Sequence, residues 1–191
     1  METLKNKIDF VVLVTADKAN VNGDPLDGNR PRTDYDGYGE ISDVCIKRKI
    51  RNRMQDLGNK IFVQSDDRCD DGCGSLSERA AANLKNIKDK DDYAKTACEN
   101  WLDVRSFGQV FAFKANKKGE GVSVGVRGPV SIHQAVSVSP IQIQSMQITK
   151  SVNGEPAEGK SPDTMGMKHM VNFGLYKIKG SINVQLAQKT G

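Results

Sequence analysis

Between Val122 and Leu186 the apolar residues tend to recur at every second position, the spacing of strands, and this half of the chain limits the fold more than any other feature. Val122–Val126 alternates, Val130–Val138 continues it, and Ile141–Ile148 reads as a period-two strand with one wet face. Gly128-Pro129 and Pro140 punctuate these runs. Val171–Ile178 and Ser181–Leu186 predict a hairpin turning at Lys179-Gly180. The expected helices all lie before Val122. The summed order predicts an α+β fold, a sheet with helices on one face, of the ferredoxin-like or RNA-recognition-motif-like kind.

At the amino end, Ile8–Thr15 is a nearly continuous apolar run, which predicts a central strand buried on both faces. Asn20–Gly39 follows, rich in glycine, asparagine and aspartate and broken by Pro25 and Pro31; so long a connection in a compact domain is usually functional. Ser42 or Asp43 is placed to cap a helix reaching Leu57, with Ile46, Ile50, Met54 and Leu57 as its buried stripe. Five cations, Lys47, Arg48, Lys49, Arg51 and Arg53, fall within seven residues of that helix. A helical insert is expected over about 66–102, with helices at Ser77–Lys88 and Asp91–Leu102, and a mobile excursion at Ser151–Asp163. The 191 residues are expected to form one domain.

The net charge of +4 permits a polyanionic partner without requiring one. A cationic helix is most often a solvated face whose long stems cover the core edge, so charge alone does not decide its role. No apolar run approaches a membrane span, and the opening residues lack a signal peptide's apolar region, so no membrane contact and a cytoplasmic location are expected. Cys45, Cys69, Cys73 and Cys98 are expected as free thiols. Cys69 and Cys73 resemble half a zinc site, but the spacing is atypical and no complementary pair follows, so no metal or cofactor is expected. Arg105–Phe113 partly matches the aromatic RNA-binding signature of the expected fold, although core packing accounts better for its alternating phenylalanines. His133, in an alternating stretch, reads as structural.

Three ordered blocks carry a more specific signal: Asn20-Val21-Asn22-Gly23-Asp24-Pro25, Gly28-Asn29-Arg30-Pro31-Arg32-Thr33-Asp34, and Ser42–Asn52. They resemble the CRISPR-associated Cas-seven backbone family of the RAMP superfamily, type I-C branch. Further similarities lie at Asp103–Gly108, Arg127–Val130, Asp163–Gly166 and Asn172–Tyr176, so the resemblance spans nearly the whole chain. Family members run on past the final hairpin, and a C-terminal part is expected beyond this chain.

The resemblance implies a right-hand-shaped subunit, its palm a modified RNA-recognition motif, with helical fingers at about 66–102 and a β-hairpin thumb at about 149–168. It implies a crRNA-binding backbone subunit of a type I-C Cascade complex in antiviral defence. Copies would stack head to tail along the guide, with other Cascade subunits and target DNA as further partners. By the same implication Lys47, Arg48 and Arg51 contact guide phosphates with Arg30 and Arg32 assisting. Phe107, Gly108 and Gln109 line the RNA track, and Met165, Lys168, His169 and Met170 form a thumb that displaces a nucleotide. Related backbone subunits of type III complexes cleave RNA with an acidic loop residue and a metal, a place that Asp34 or Asp36 would take. Type I subunits are not nucleases, so no catalytic residue is expected. A free-standing single-strand RNA-binding module is the other alternative.

Overall fold

Residues 3–113, 122–149 and 165–191 are described by a computed structural model. They belong to two compact units, one drawn from Met1–Phe10, Ile46–Ile132 and Gly180–Gly191, the other from Val11–Cys45 and His133–Lys179. The fold is α+β with an antiparallel sheet. The excursion expected at Ser151–Asp163, and with it most of the expected thumb, lies outside the described residues.

The first unit has a hydrophobic core that runs from Phe62 through Leu84, Tyr93 and Trp101 to Phe111. Helix α1 (Asp43–Asp56) begins where Ser42 Oγ accepts the N–H of Cys45 at 3.3 Å, so Ser42 is the cap, and Ile46 is buried. Leu57 lies beyond the helix end and is exposed, contrary to the expected stripe. Helix α2 (Leu76–Leu84) starts earlier than Ser77 because Ser75 Oγ accepts the N–H of Glu78, while Glu78 reaches back to the N–H of Gly74. It also stops short of Lys88. Helix α3 (Lys90–Asn100) is capped by Asp89, which takes the N–H groups of Asp91 and Asp92, and a separate helix α4 (Leu102–Phe107) follows.

These helices close over a strand pair that begins with β5 (Gln109–Phe113) and ends with β6 (Val122–Val126). Phe62 packs with Trp101 and Phe111 at centroid separations of 4.8 and 5.0 Å, and Phe111 meets Tyr93 at 5.3 Å. Phe111 is thus a core residue, as its alternation suggested. Strand β7 (Val130–Ile132) pairs with the end of β10 (Met165–Ile182). The expected hairpin at Lys179-Gly180 does not exist: β10 runs straight through both residues, and helix α5 (Val184–Thr190), capped by Asn183, replaces the second arm. Gly180 is needed because the Phe10 ring occupies the space a Cβ would fill, so a packing glycine imitates a turn signal.

The second unit is a sheet ordered β1-β10-β8-β4, where β1 is Ile8–Ala19, β8 is Ala135–Pro140 and β4 is Tyr38–Ile41; β9 (Ile143–Thr149) also pairs with β10. Gly39, Ile41, Ala135, Ser137, Gly174, Tyr176 and Ile178 form its buried face. Gly39 donates to Ser137 Oγ at 2.8 Å, and a Cβ on it would strike the Tyr176 hydroxyl.

Strand β1 is not central. It stands at the end of the order, and Val11 and Leu13 are 60% and 61% exposed, so the apolar run does not report burial on both faces. Strand β9 is exposed along nearly its whole length, because its apolar residues change phase between Ile143 and Met146 and no single face collects them. The stretch Val130–Val138 is two strands, and His133 lies in the gap between them, its N–H donated to Lys179 O at 2.9 Å.

Candidate nucleic-acid interface

In the first unit the interface is organised by Asp103, a residue on α4 with no exposed surface. Its carboxylate accepts the N–H of Phe62 at 2.7 Å, the N–H of Val63 at 3.1 Å and Arg51 Nε at 2.9 Å. The Arg51 side chain is 14% exposed, and its guanidinium carbon stands 5.2 Å over the Phe107 ring. Arg51 therefore spends its charge on Asp103 and Phe107, fixing α1 to the segment leading into β5. Lys47 and Arg48 sit one and two positions C-terminal to the buried Ile46 and are half-buried.

Gly108 and Gly128 bring two backbones together. Gly108 ends α4 at φ +79°, and a Cβ there would run into Val126 O and Gly128 N; a Cβ on Gly128 would meet Gly108 N and Ser106 O. The close approach that Gly108 permits is to its own chain. Gln109 then opens β5 opposite Val126, its Nε2 donating to Val110 O at 3.0 Å.

In the second unit the long connection is ordered by short-range bonds. Strands β2 (Gly23–Asp24) and β3 (Arg30–Pro31) pair, and Asn22 Oδ1 accepts both the N–H and the hydroxyl of Ser42 at 2.8 and 3.0 Å. The same asparagine takes the N–H of Arg32 on its backbone oxygen. Arg32 pairs with Asp24 at 3.4 Å and Arg30 with Asp27 at 3.8 Å, and both arginines remain partly exposed. Asp34 Oδ1 accepts the N–H groups of Asp36 and Tyr38, a local turn. Among the described residues no group of three His, Cys, Asp or Glu stands close enough to hold a metal ion.

On the β9–β10 pair, Met165 faces Thr149, Lys168 faces Met146 and His169 faces Ser145, whose Oγ is 2.8 Å from His169 Nδ1. Met165 is 58% exposed and Lys168 is exposed, whereas Met170 is buried and offers no side chain to a ligand.

The family model for CRISPR-associated protein Cas7 matches residues 6–191. The chain belongs to the Cas7 family. A relative of that name in Haloferax volcanii is 32% identical over 122 residues, which are 62% of this Cas7 chain and 36% of that protein. The match thus spans little more than a third of the relative. A solved subunit of a "CRISPR RNA-guided surveillance complex, pre-nicking" superposes on 97% of this chain and 64% of its own, with a TM-score of 0.52 and 18% identity, a likeness of fold. Asp103 is the organising residue that motifs alone do not reveal, although it opens one of the blocks similar to the family. Among the described residues of this Cas7 chain no helix is long and apolar enough to cross a membrane.

Proposed function

We propose that this Cas7 chain is a crRNA-binding backbone subunit of a cytoplasmic type I-C Cascade complex, several copies adding head to tail along one guide. The reading is carried by the family match over residues 6–191, in a chain whose α1 carries Lys47 and Arg48 and is tied to Asp103 through Arg51. A head-to-tail contact that does not close on itself builds a filament, and the guide's length ends it. Such a subunit must hold every guide sequence alike. Phosphates meet Lys47 and Arg48 on α1 and Arg30 and Arg32 in the connection, while the bases stay free to pair with target DNA.

Arg51 takes a positioning role, holding Phe107 and the Gly108–Gln109 turn along the RNA. The exposed Met165 is suited to wedge between bases and Lys168 to meet the adjoining phosphate, with His169 steadied by Ser145. We assign no catalytic step; the double N–H contact at Asp34 supports a structural carboxylate there.

Electron microscopy of the protein mixed with guide-length RNA tests this. Regular rods whose length follows the RNA are expected. Independent, unassembled RNA-bound particles would favour a free-standing module instead. Magnesium-dependent cleavage at regular spacing, abolished in Asp34→Ala, would favour a nuclease.

A further inference from the structure

Residues 64–74, Gln-Ser-Asp-Asp-Arg-Cys-Asp-Asp-Gly-Cys-Gly, wrap a loop around the guanidinium of Arg79, a buried side chain on α2. Arg79 donates to both carboxylate oxygens of Asp71, to Phe62 O at 2.9 Å, to Cys73 O and Gln64 Oε1 at 3.3 Å each, and lies 3.7 Å from Cys69 Sγ. This network holds the two cysteines of the loop against one residue. Cys69 Sγ is 3.5 Å from Asp71 Oδ1 and 3.3 Å from Cys73 O, while the Cys73 N–H reaches the same Asp71 Oδ1 at 3.0 Å and Cys73 Sγ is 3.9 Å from Asp71 O. Gly72, at φ +72°, turns the chain between them, and a Cβ there would meet nothing.

We propose that Cys69 and Cys73 form a reversible thiol modification site, oxidised by a hydroperoxide to an intramolecular disulfide. The site stands apart from the RNA reading and does not depend on it.

The two thiols differ in the way such a reaction needs. Cys69 is exposed, so a hydroperoxide reaches its sulfur, which lies between the Arg79 guanidinium at 3.7 Å and the Asp71 carboxylate at 3.5 Å. Cys73 is less exposed, and burial together with the charge of Asp71 pushes its thiol up, keeping it protonated until the second step. The Cys69 sulfur attacks the peroxide O–O bond, forming an S–O bond and releasing water or the corresponding alcohol. The Cys73 sulfur then displaces the hydroxyl from Cys69, forming the S–S bond and releasing water. Two thiols lose two electrons and two protons, and the peroxide is reduced by the same two electrons. Buried Cys98 and half-buried Cys45 serve as internal controls.

Titrating the reduced protein with hydrogen peroxide, followed by alkylation under denaturing conditions and peptide mass spectrometry, reads the outcome. The expected product is a loop peptide two hydrogens lighter in which neither cysteine is alkylated until dithiothreitol restores both. Cys45 and Cys98 stay alkylated. In Cys73→Ser the linked species should vanish and a sulfenic acid at Cys69 should be trapped by dimedone. Full alkylation of all four thiols after peroxide, oxidation spread evenly over the four, or cross-linked dimers in place of the loop disulfide would overturn the proposal.

Discussion

Arg51 Nε lies 2.9 Å from Asp103 Oδ2, joining two residues 52 positions apart in the chain, and Asp103 has no exposed surface. A cation whose motif points to RNA phosphates is paired with a fully buried carboxylate, and the turn that follows Phe107 inherits its position from that pair.

Asp103→Ala should be severely destabilising. It strands Arg51 and leaves the N–H groups of Phe62 and Val63 without acceptors. Removing one partner of a buried ion pair costs about 3–5 kcal/mol, and chemical denaturation should register a decrease of that order. Asp103→Asn keeps the shape but not the charge and should cost less.

Gly128→Ala should also weaken the fold, because the new methyl group points at Gly108 N and Ser106 O with no flexible side chain to yield. A forced backbone shift of this kind costs about 1–3 kcal/mol. Gly72→Ala meets no atoms and bears only the strain of its positive φ, so the two variants separate crowding from conformation in one unfolding assay.

Acid stability should depend on Asp71. Hydrogen bonds from Arg79 hold its carboxyl well below the ordinary value of 3.8, so its stabilisation is complete above that value and drains away as pH falls toward the folded-state value. Asp71→Asn should lower stability at neutral pH and flatten the decline on the acid side. Unfolding midpoints measured across the acid range check both signs.

Leu13→Lys should leave folding stability within about 0.5 kcal/mol of the parent, because the side chain is already in water. An apolar strand at the end of a sheet invites pairing with another chain, and a lysine on it opposes that. Light scattering should therefore show less self-association in Leu13→Lys, while Ala16→Lys, at a buried position of the same strand, should fail to fold stably.

These positions also show what a sequence can disclose. Helix α1 is legible from Ser42 and the spacing of Ile46 and Ile50, both local signals. Helices α2 and α3 are legible from their caps, Ser75 and Asp89, and from the polar, glycine-containing stretch before the first of them. Strand β10 reads as two strands because Gly180 serves the Phe10 ring, a partner 170 positions away, and nothing near it in sequence says so. Apolar Ile8–Thr15 announces a strand but cannot announce its neighbours. Arg30, Arg32, Lys47 and Arg48 stand out as cations in loop and helix, whereas the diversion of Arg51 is visible only once the place of Asp103 is known.

The proposed binding of guide-length RNA by Lys47 and Arg48 is tested most directly by fluorescence anisotropy across a salt series, using RNAs of unrelated sequence. The parent protein should bind all of them alike. Lys47→Ala/Arg48→Ala should weaken every one equally, with a salt slope shallower by about 0.7 for each phosphate it no longer neutralises. An unchanged affinity and slope in the double variant, or a weakening confined to certain sequences, would contradict the account.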